Sequence, residues 1–276
     1  MGFYRPATLT EALALVGGGA RVLAGGTDLY PGAGPALAGA VVDLTVVPGL
    51  RGISFTEQGL RIGACTTWSD LAEADLPAAC ACLQQAARQV GGRQIQNAAT
   101  IGGNLCNASP AADGVPPLLA LEAAVEIASG NGVRRVLLAD FILGPRKVAL
   151  TAGEILAAVH LPQRALRGVS AFEKLGARAY LVISIAMAAV RLEVVDGRVT
   201  AACVSVGACG PVAARLPAVE AALCGPVEGA VGRVAASDVA VALSPIADVR
   251  ATAEYRLRAA AELVARGVAR LTGAHG

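Results

Sequence analysis

Two glycine doublets, each followed by short polar side chains, hold the residues best suited to chemistry in this sequence. They are Ala24-Gly25-Gly26-Thr27-Asp28 and, far downstream, Thr100-Ile101-Gly102-Gly103-Asn104. With no Cβ in the way, consecutive backbone N–H groups can meet phosphate oxygens, and the neighbouring hydroxyls and amides add donors. Taken singly, the first segment reads equally well as an ordinary turn or as a ligand cradle. It lacks the G-x-G-x-x-G spacing, Pro31 discourages a long helix directly behind it, and no Gly-Lys-Ser/Thr occurs. A conventional Rossmann nicotinamide site and a Walker loop are both disfavoured. The second segment is denser, with Thr100, Asn104, Asn107, Ser109 and Asp113 set among small residues. Buried polar groups of this kind need partners. The bland alternative is a self-capped loop in which Asn and Ser satisfy their own backbone. Two such loops converging on one pyrophosphate point to a bound dinucleotide.

The elements that must position these segments follow from patterning. Residues 8–17 open with a Thr8…Glu11 capping box and read as a helix stopped by Gly17-Gly18-Gly19. Residues 21–24 form a short strand running into the first glycine segment, and residues 40–44 another, which suggests a small layer with partly parallel strands. From about residue 53 short strands and turns prevail, as at Leu60–Gly63, followed by helices near 67–74 and 77–89. Beyond the second glycine loop, a helix is expected from Asp113 through Leu121. The runs 125–128 and 133–138 flank Ser129-Gly-Asn-Gly132, a hairpin signal, and 154–161 alternates as a strand ended by Pro162. Strands are expected at 169–175, 184–195 and 198–206, with Asp196-Gly197 as a hairpin turn, then helices near 212–223, 227–237 and 252–271. A domain boundary is placed near residue 165, in the polar link 163–168.

Composition narrows the class. The 276 residues are 55% hydrophobic and 16% charged, which excludes disorder as the main state. Aromatics make up only 3%, so the core is built from small side chains. A formal net charge of +2 and no basic run longer than two residues argue against nucleic acid as a partner. Mean hydropathy is positive, yet the longest apolar stretch, Ala179 to Val190, is too short to span a bilayer, and no membrane association is expected. No secretion signal is read near Arg5 and Glu11, so a cytoplasmic location is expected. Seven cysteines, an odd number without Cys-x-x-Cys, read as reduced and mostly buried thiols, Cys80 and Cys82 among them. Neither they nor His160 and His275 suggest a metal site, and no residue is nominated as catalytic.

One ordered set of motifs runs through almost the whole chain. It comprises Leu23-Ala-Gly-Gly-Thr-Asp28, Thr100-Ile-Gly-Gly-Asn104 with Ala108-Ser-Pro-Ala-Ala-Asp113, Gly144-Pro-Arg-Lys147, Gly153-Glu-Ile-Leu156 and Phe172-Glu-Lys-Leu-Gly176, then Asp248–Arg256 before the last helix. The set resembles the FAD-binding medium subunit of the molybdenum hydroxylases, the xanthine dehydrogenase and carbon monoxide dehydrogenase family. The resemblance implies an α+β fold: an FAD-binding domain of the vanillyl-alcohol-oxidase type over 1–165, with subdomains of about 1–52 and 53–165, followed by a small C-terminal α+β domain over 166–276.

By that resemblance, Leu23, Ala24, Gly25, Gly26, Thr27 and Asp28 would hold the pyrophosphate from one side, and Thr100, Ile101, Gly102, Gly103 and Asn104 from the other. They would do so through backbone amides and the Thr27 and Thr100 hydroxyls. Asp113 would bond elsewhere on the cofactor, Leu156 would lie near the isoalloxazine, and Lys174 would approach the flavin region. Arg178 and Tyr180 resemble the bacterial xanthine-dehydrogenase-like branch, and Val182 stands where many relatives carry an acidic residue. Thr27 stands where carbon monoxide dehydrogenase tends to have histidine, and the cysteine-bearing insertion of 4-hydroxybenzoyl-CoA reductase is missing. The implied function is an FAD-carrying electron-transfer subunit of an oxidoreductase. It would take electrons from two [2Fe–2S] clusters on a small partner subunit and pass them to NAD or another acceptor. Substrate would be oxidised at molybdopterin on a large partner subunit. The alternatives are a free-standing flavin oxidoreductase with its own substrate pocket and an assembly subunit that has lost its cofactor.

Overall fold

The computed structural model describes residues 2–34 and 37–273. Three strands open the chain: β1 (Gly2–Tyr4), β2 (Arg21–Leu23) and β3 (Ala40–Asp43). They form a parallel sheet in the order β1-β3-β2. Between β1 and β2 lies helix α1 (Leu9–Gly17), whose N-cap Thr8 hydroxyl accepts the Glu11 amide, as the sequence pattern requires. The partly parallel layer expected from residues 21–24 and 40–44 is therefore present. β1 was not foreseen, because Phe3 and Tyr4 are exposed and leave no alternating signature.

The second sheet is antiparallel, in the order β4-β5-β10-β6-β7. Its strands are β4 (Ile53–Thr56), β5 (Gly59–Gly63), β6 (Ala124–Ser129), β7 (Gly132–Leu137) and β10 (Ile155–Pro162). Period-two patterning sends Leu60, Ile62, Val125, Ile127, Val159 and Leu161 into one core, while Arg61, Glu126 and His160 pair with one another on the opposite face. Five α-helices lie between β5 and β6: α2 (Trp68–Glu73), α3 (Ala81–Gln89), α4 (Arg93–Ala98), α5 (Ile101–Asn107) and α6 (Val115–Ala120). Residues of α2, α3, α5 and α6 complete that core, with Trp68, Leu83, Leu105 and Leu118 each fully buried. At ~1.5–3 kcal/mol per large apolar side chain, this layer is the main stabilising term for the elements behind the glycine segments. A one-turn helix, α7 (Leu138–Phe141), then leads into the small hairpin of β8 (Ile142–Gly144) and β9 (Lys147–Val148).

The remainder forms a third, antiparallel sheet, β11-β12-β13-β14, with β15 beside β13. Its strands are β11 (Val169–Leu175), β12 (Ala186–Val195), β13 (Arg198–Gly207), β14 (Ala214–Arg215) and β15 (Gly225–Pro226). Asp196 and Gly197 both adopt positive φ in the β12–β13 turn, the conformation that an Asp-Gly hairpin needs. Helices α8 (Pro217–Leu223) and α10 (Ala253–Thr272) pack on it, with α9 (Ala236–Ala240) against those two helices, and α10 buries Ala260, Leu263, Val264 and Val268. Two helix expectations are corrected. The helix over 212–223 starts only at Pro217, because Ala214 and Arg215 pair with Ser205 and Val206 as β14. The segment 227–237 holds a 3-10 turn at Val231–Arg233 and then the start of α9 in place of one continuous helix. The chain is thus a mixed α+β structure, and among the described residues no helix is long and apolar enough to cross a membrane.

Candidate functional site

β2 delivers the first glycine segment. Leu23 is buried at the strand end and its carbonyl accepts the Leu44 amide; the chain then turns, closed by Tyr30 N–H donating to Gly26 O at 3.0 Å. Gly26 has φ +71°, and a Cβ there would lie 2.4 Å from the Tyr30 ring, so glycine is required on both counts. Gly25 is required by a different contact. A Cβ on it would lie 2.0 Å from the Ala98 carbonyl oxygen, so this is where the backbone before the second segment touches the first. Among the described residues, the amides of Gly25, Gly26, Thr27 and Asp28 donate to no other atom of the chain.

The second segment differs from the expected loop. It is the first turn of helix α5, N-capped by Thr100, whose hydroxyl accepts the Gly103 amide at 3.1 Å. The Ile101 amide donates to Thr66 O, Gly102 to Ala64 O and Asn104 to Thr100 O, at 2.8–3.0 Å. The amides of Ile101, Gly102, Gly103 and Asn104 are thus committed inside the chain and are not available to a ligand. Glycine still matters here. At Gly102 a Cβ would lie 2.7 Å from the Ala64 backbone oxygen, whereas at Gly103 it would meet only the Thr100 hydroxyl, at 3.0 Å.

The two segments line one cleft of about 510 Å³, inside the ~300–1,000 Å³ range of small-molecule and cofactor sites. Ala24, Gly25, Gly26, Thr27 and Asp28 of the first segment, Thr100, Gly102, Gly103 and Asn104 of the second, and Leu156 of β10 all border it. Four sequence-selected residues are outside this lining. Leu23 and Ile101 are buried in the core. Asp113 and Lys174 instead satisfy each other. Lys174 Nζ lies 2.6 Å from Asp113 Oδ2, and Ser184 Oγ donates to Asp113 Oδ1 at 2.6 Å. Burial raises the Asp113 carboxyl above its ordinary value, against the opposing pull of Lys174 and Ser184.

Several lining residues were not singled out from the sequence, notably Trp68, Cys65, Cys106 and Glu154. The signal for Trp68 was legible: it is the chain's one tryptophan and follows Thr67, which forms a reciprocal capping box with Asp70. Trp68 Nε1 and Asn104 Oδ1 are both buried without a hydrogen-bond partner among the described residues. A buried, unpaired donor and acceptor on the wall of a cleft fit a polar guest that supplies the missing bonds. Both cysteine thiols are pushed up to about 12, chiefly by burial, and stay protonated at neutral pH. Among the described residues no lysine or arginine lines the cleft, and its charged lining groups are Asp28 and Glu154.

Glu154 is held down to about 2, first by Arg134, whose Nε and Nη2 each donate to it at 2.8 Å, and then by the Thr151 amide. Its folded value lies below the ordinary 4.5. The contribution to stability is therefore complete above 4.5 and is lost as pH falls through about 2. Acid unfolding of Glu154→Gln should accordingly depend less on pH than that of the wild type across this window. Identical acid curves would show that the carboxylate contributes nothing there.

Residues 1–164 match the family described as the FAD binding domain in molybdopterin dehydrogenase, and residues 170–271 match the CO dehydrogenase flavoprotein C-terminal domain. The putative xanthine dehydrogenase FAD-binding subunit of Escherichia coli strain K12 is 40% identical over 178 residues, a match spanning 58% of this chain and 57% of that protein. The carbon monoxide dehydrogenase medium chain of Afipia carboxidovorans is 33% identical over 279 residues, covering 97% of this chain and 95% of the relative. Among solved structures, reconstituted CO dehydrogenase from Oligotropha carboxidovorans superposes with a TM-score of 0.91 at 29% identity, over 99% of this chain and 98% of that one.

Proposed function

Since the chain belongs to the family of FAD-binding domains of molybdopterin dehydrogenases, we propose that it is the FAD-carrying electron-transfer subunit of a multisubunit molybdenum hydroxylase. Electrons would arrive from [2Fe–2S] clusters on a small partner subunit, after substrate oxidation at molybdopterin on a large one, and leave to NAD or another acceptor. The supporting observation is that two glycine segments distant in sequence wall a single cleft. The division assigned is 1–165 for the vanillyl-alcohol-oxidase-type FAD domain and 166–276 for the C-terminal α+β domain.

The residues fit a flavin dinucleotide in specific ways. Four unpaired amides from Gly25 to Asp28 and the Thr27 hydroxyl are neutral donors suited to a pyrophosphate. The second segment contributes the Thr100 and Asn104 side chains and the bare Cα of Gly103. Leu156, with Leu150 and Ile155, forms an apolar wall able to exclude water from a ring system. Asp113 and Lys174 remain assigned to the cofactor's far end by resemblance alone, since the structure satisfies each with the other. When bound, FAD supplies the exchange between one- and two-electron transfers that no side chain here performs. This chain's share is to seat the ring and keep nearby thiols uncharged.

Co-purification of the native complex tests the proposal. Flavin, iron, sulfide and molybdenum are expected together, and reduction of NAD⁺ against that of oxygen identifies the acceptor. Flavin on the chain without iron or any partner would favour a free-standing oxidoreductase. A chain that stays colourless after incubation with FAD would sink both readings.

A further inference from the structure

Resting on the cofactor seat proposed above, we infer that Arg146 is a positioning residue for the phosphate loop, acting through Asn107 on Asp28. Arg146 lies in the turn joining β8 to β9 and is absent from the cleft lining. Its backbone is left-handed, φ 59°, and its amide donates at 2.9 Å to the carbonyl of Ala108, itself left-handed at φ 45° where α5 ends. Non-glycine residues in this region are uncommon, and a bonded pair of them persists only where the surroundings hold both.

The consequence of this turn is directional. Arg146 Nη1 donates to the Asn107 side-chain oxygen and, at 3.2 Å, to the Asn107 backbone oxygen. A guanidinium only donates, so the Asn107 amide must present its oxygen to Arg146 and its NH₂ to the other side. There Asn107 Nδ2 donates to Asp28 Oδ1 at 3.0 Å. A carboxylate only accepts, so the chain of donors runs one way, from Arg146 to Asn107 to Asp28. Asp28 sits within the run of amides, Gly25 to Leu29, that donate to nothing else among the described residues. Arg146 thus holds, from a separate hairpin, a residue inside the loop proposed to meet the pyrophosphate.

Arg146→Gly is the informative variant, because glycine keeps the left-handed backbone without strain while deleting the guanidinium. Titration of the apo-chain with FAD, followed by flavin fluorescence, should give a Kd about 10-fold higher, the size of one lost charge-assisted hydrogen bond. The thermal midpoint should be unchanged or higher. Arg146→Lys should restore part of the affinity. Asn107→Leu should weaken binding at least as much, and adding Arg146→Gly to it should cost nothing more. An unchanged Kd in Arg146→Gly, or additive losses in the double variant, while the wild type binds FAD, would overturn this inference alone. A wild-type chain without affinity for FAD would overturn the seat and this inference together.

Discussion

The Gly103→Val protein is expected to fold, melt near the wild-type temperature and carry no flavin. A Cβ at this position meets nothing but the Thr100 hydroxyl, at 3.0 Å, so two further methyl groups would enter the cleft and spare the protein interior. Valine is no worse than glycine in a helix interior, so α5 should not suffer. A filled seat should lower FAD affinity on the order of 100-fold, ~2.8 kcal/mol. Gly102→Val gives the contrast. Its Cβ would lie 2.7 Å from the Ala64 backbone oxygen, so fold and flavin should be lost together. Reconstitution with FAD and the absorbance ratio of flavin to protein decide the matter. Full occupancy in Gly103→Val would move the pyrophosphate site elsewhere.

Asp113→Ala is expected to be the most destabilising single change among the polar residues. Lys174 has 5% and Asp113 10% side-chain exposure, so removing the carboxylate leaves an ammonium buried with only Gln89 O as acceptor, at 3.2 Å. Breaking a buried pair from one side costs ~3–5 kcal/mol, which for a chain of this size lowers Tm by roughly 10 °C. The Ser184 hydroxyl loses its acceptor as well. Replacing both partners, Asp113→Leu with Lys174→Met, should recover much of the loss, because no charge is then stranded. Thermal unfolding of the three proteins tests this. Equal midpoints for Asp113→Ala and the wild type would mean that the pair is not an ion pair in solution.

Much of the architecture was legible because its signals are local. Alternation marked β10, Asp196-Gly197 marked the β12–β13 turn, and Thr8…Glu11 marked the start of α1. What escaped depends on contacts distant in the chain. In the sequence, the glycine doublet of α5 looks like an amide-exposing phosphate loop. It is helical because Ala64 and Thr66 take its first amides and because Ile101 and Leu105, one turn apart, are both fully buried. The apolar pair and the capping Thr100 were visible in the sequence, but the carbonyls that commit those amides were not. Likewise, Asp113 and Lys174 were each marked as important by the motif order. Nothing in that order indicates that they face each other, since the contact joins residue 113 to β11 of another sheet.

Among the described residues, the cleft lining carries two carboxylates and no cation. A diphosphate seated there is met directly by dipoles and forms no ion pair with the lining itself, so its binding releases few counterions. Dissolved salt would then damp the repulsion from Asp28 and Glu154 and leave the dipolar contacts untouched. Such a seat should hold its guest as well in concentrated electrolyte as in dilute buffer, or somewhat better.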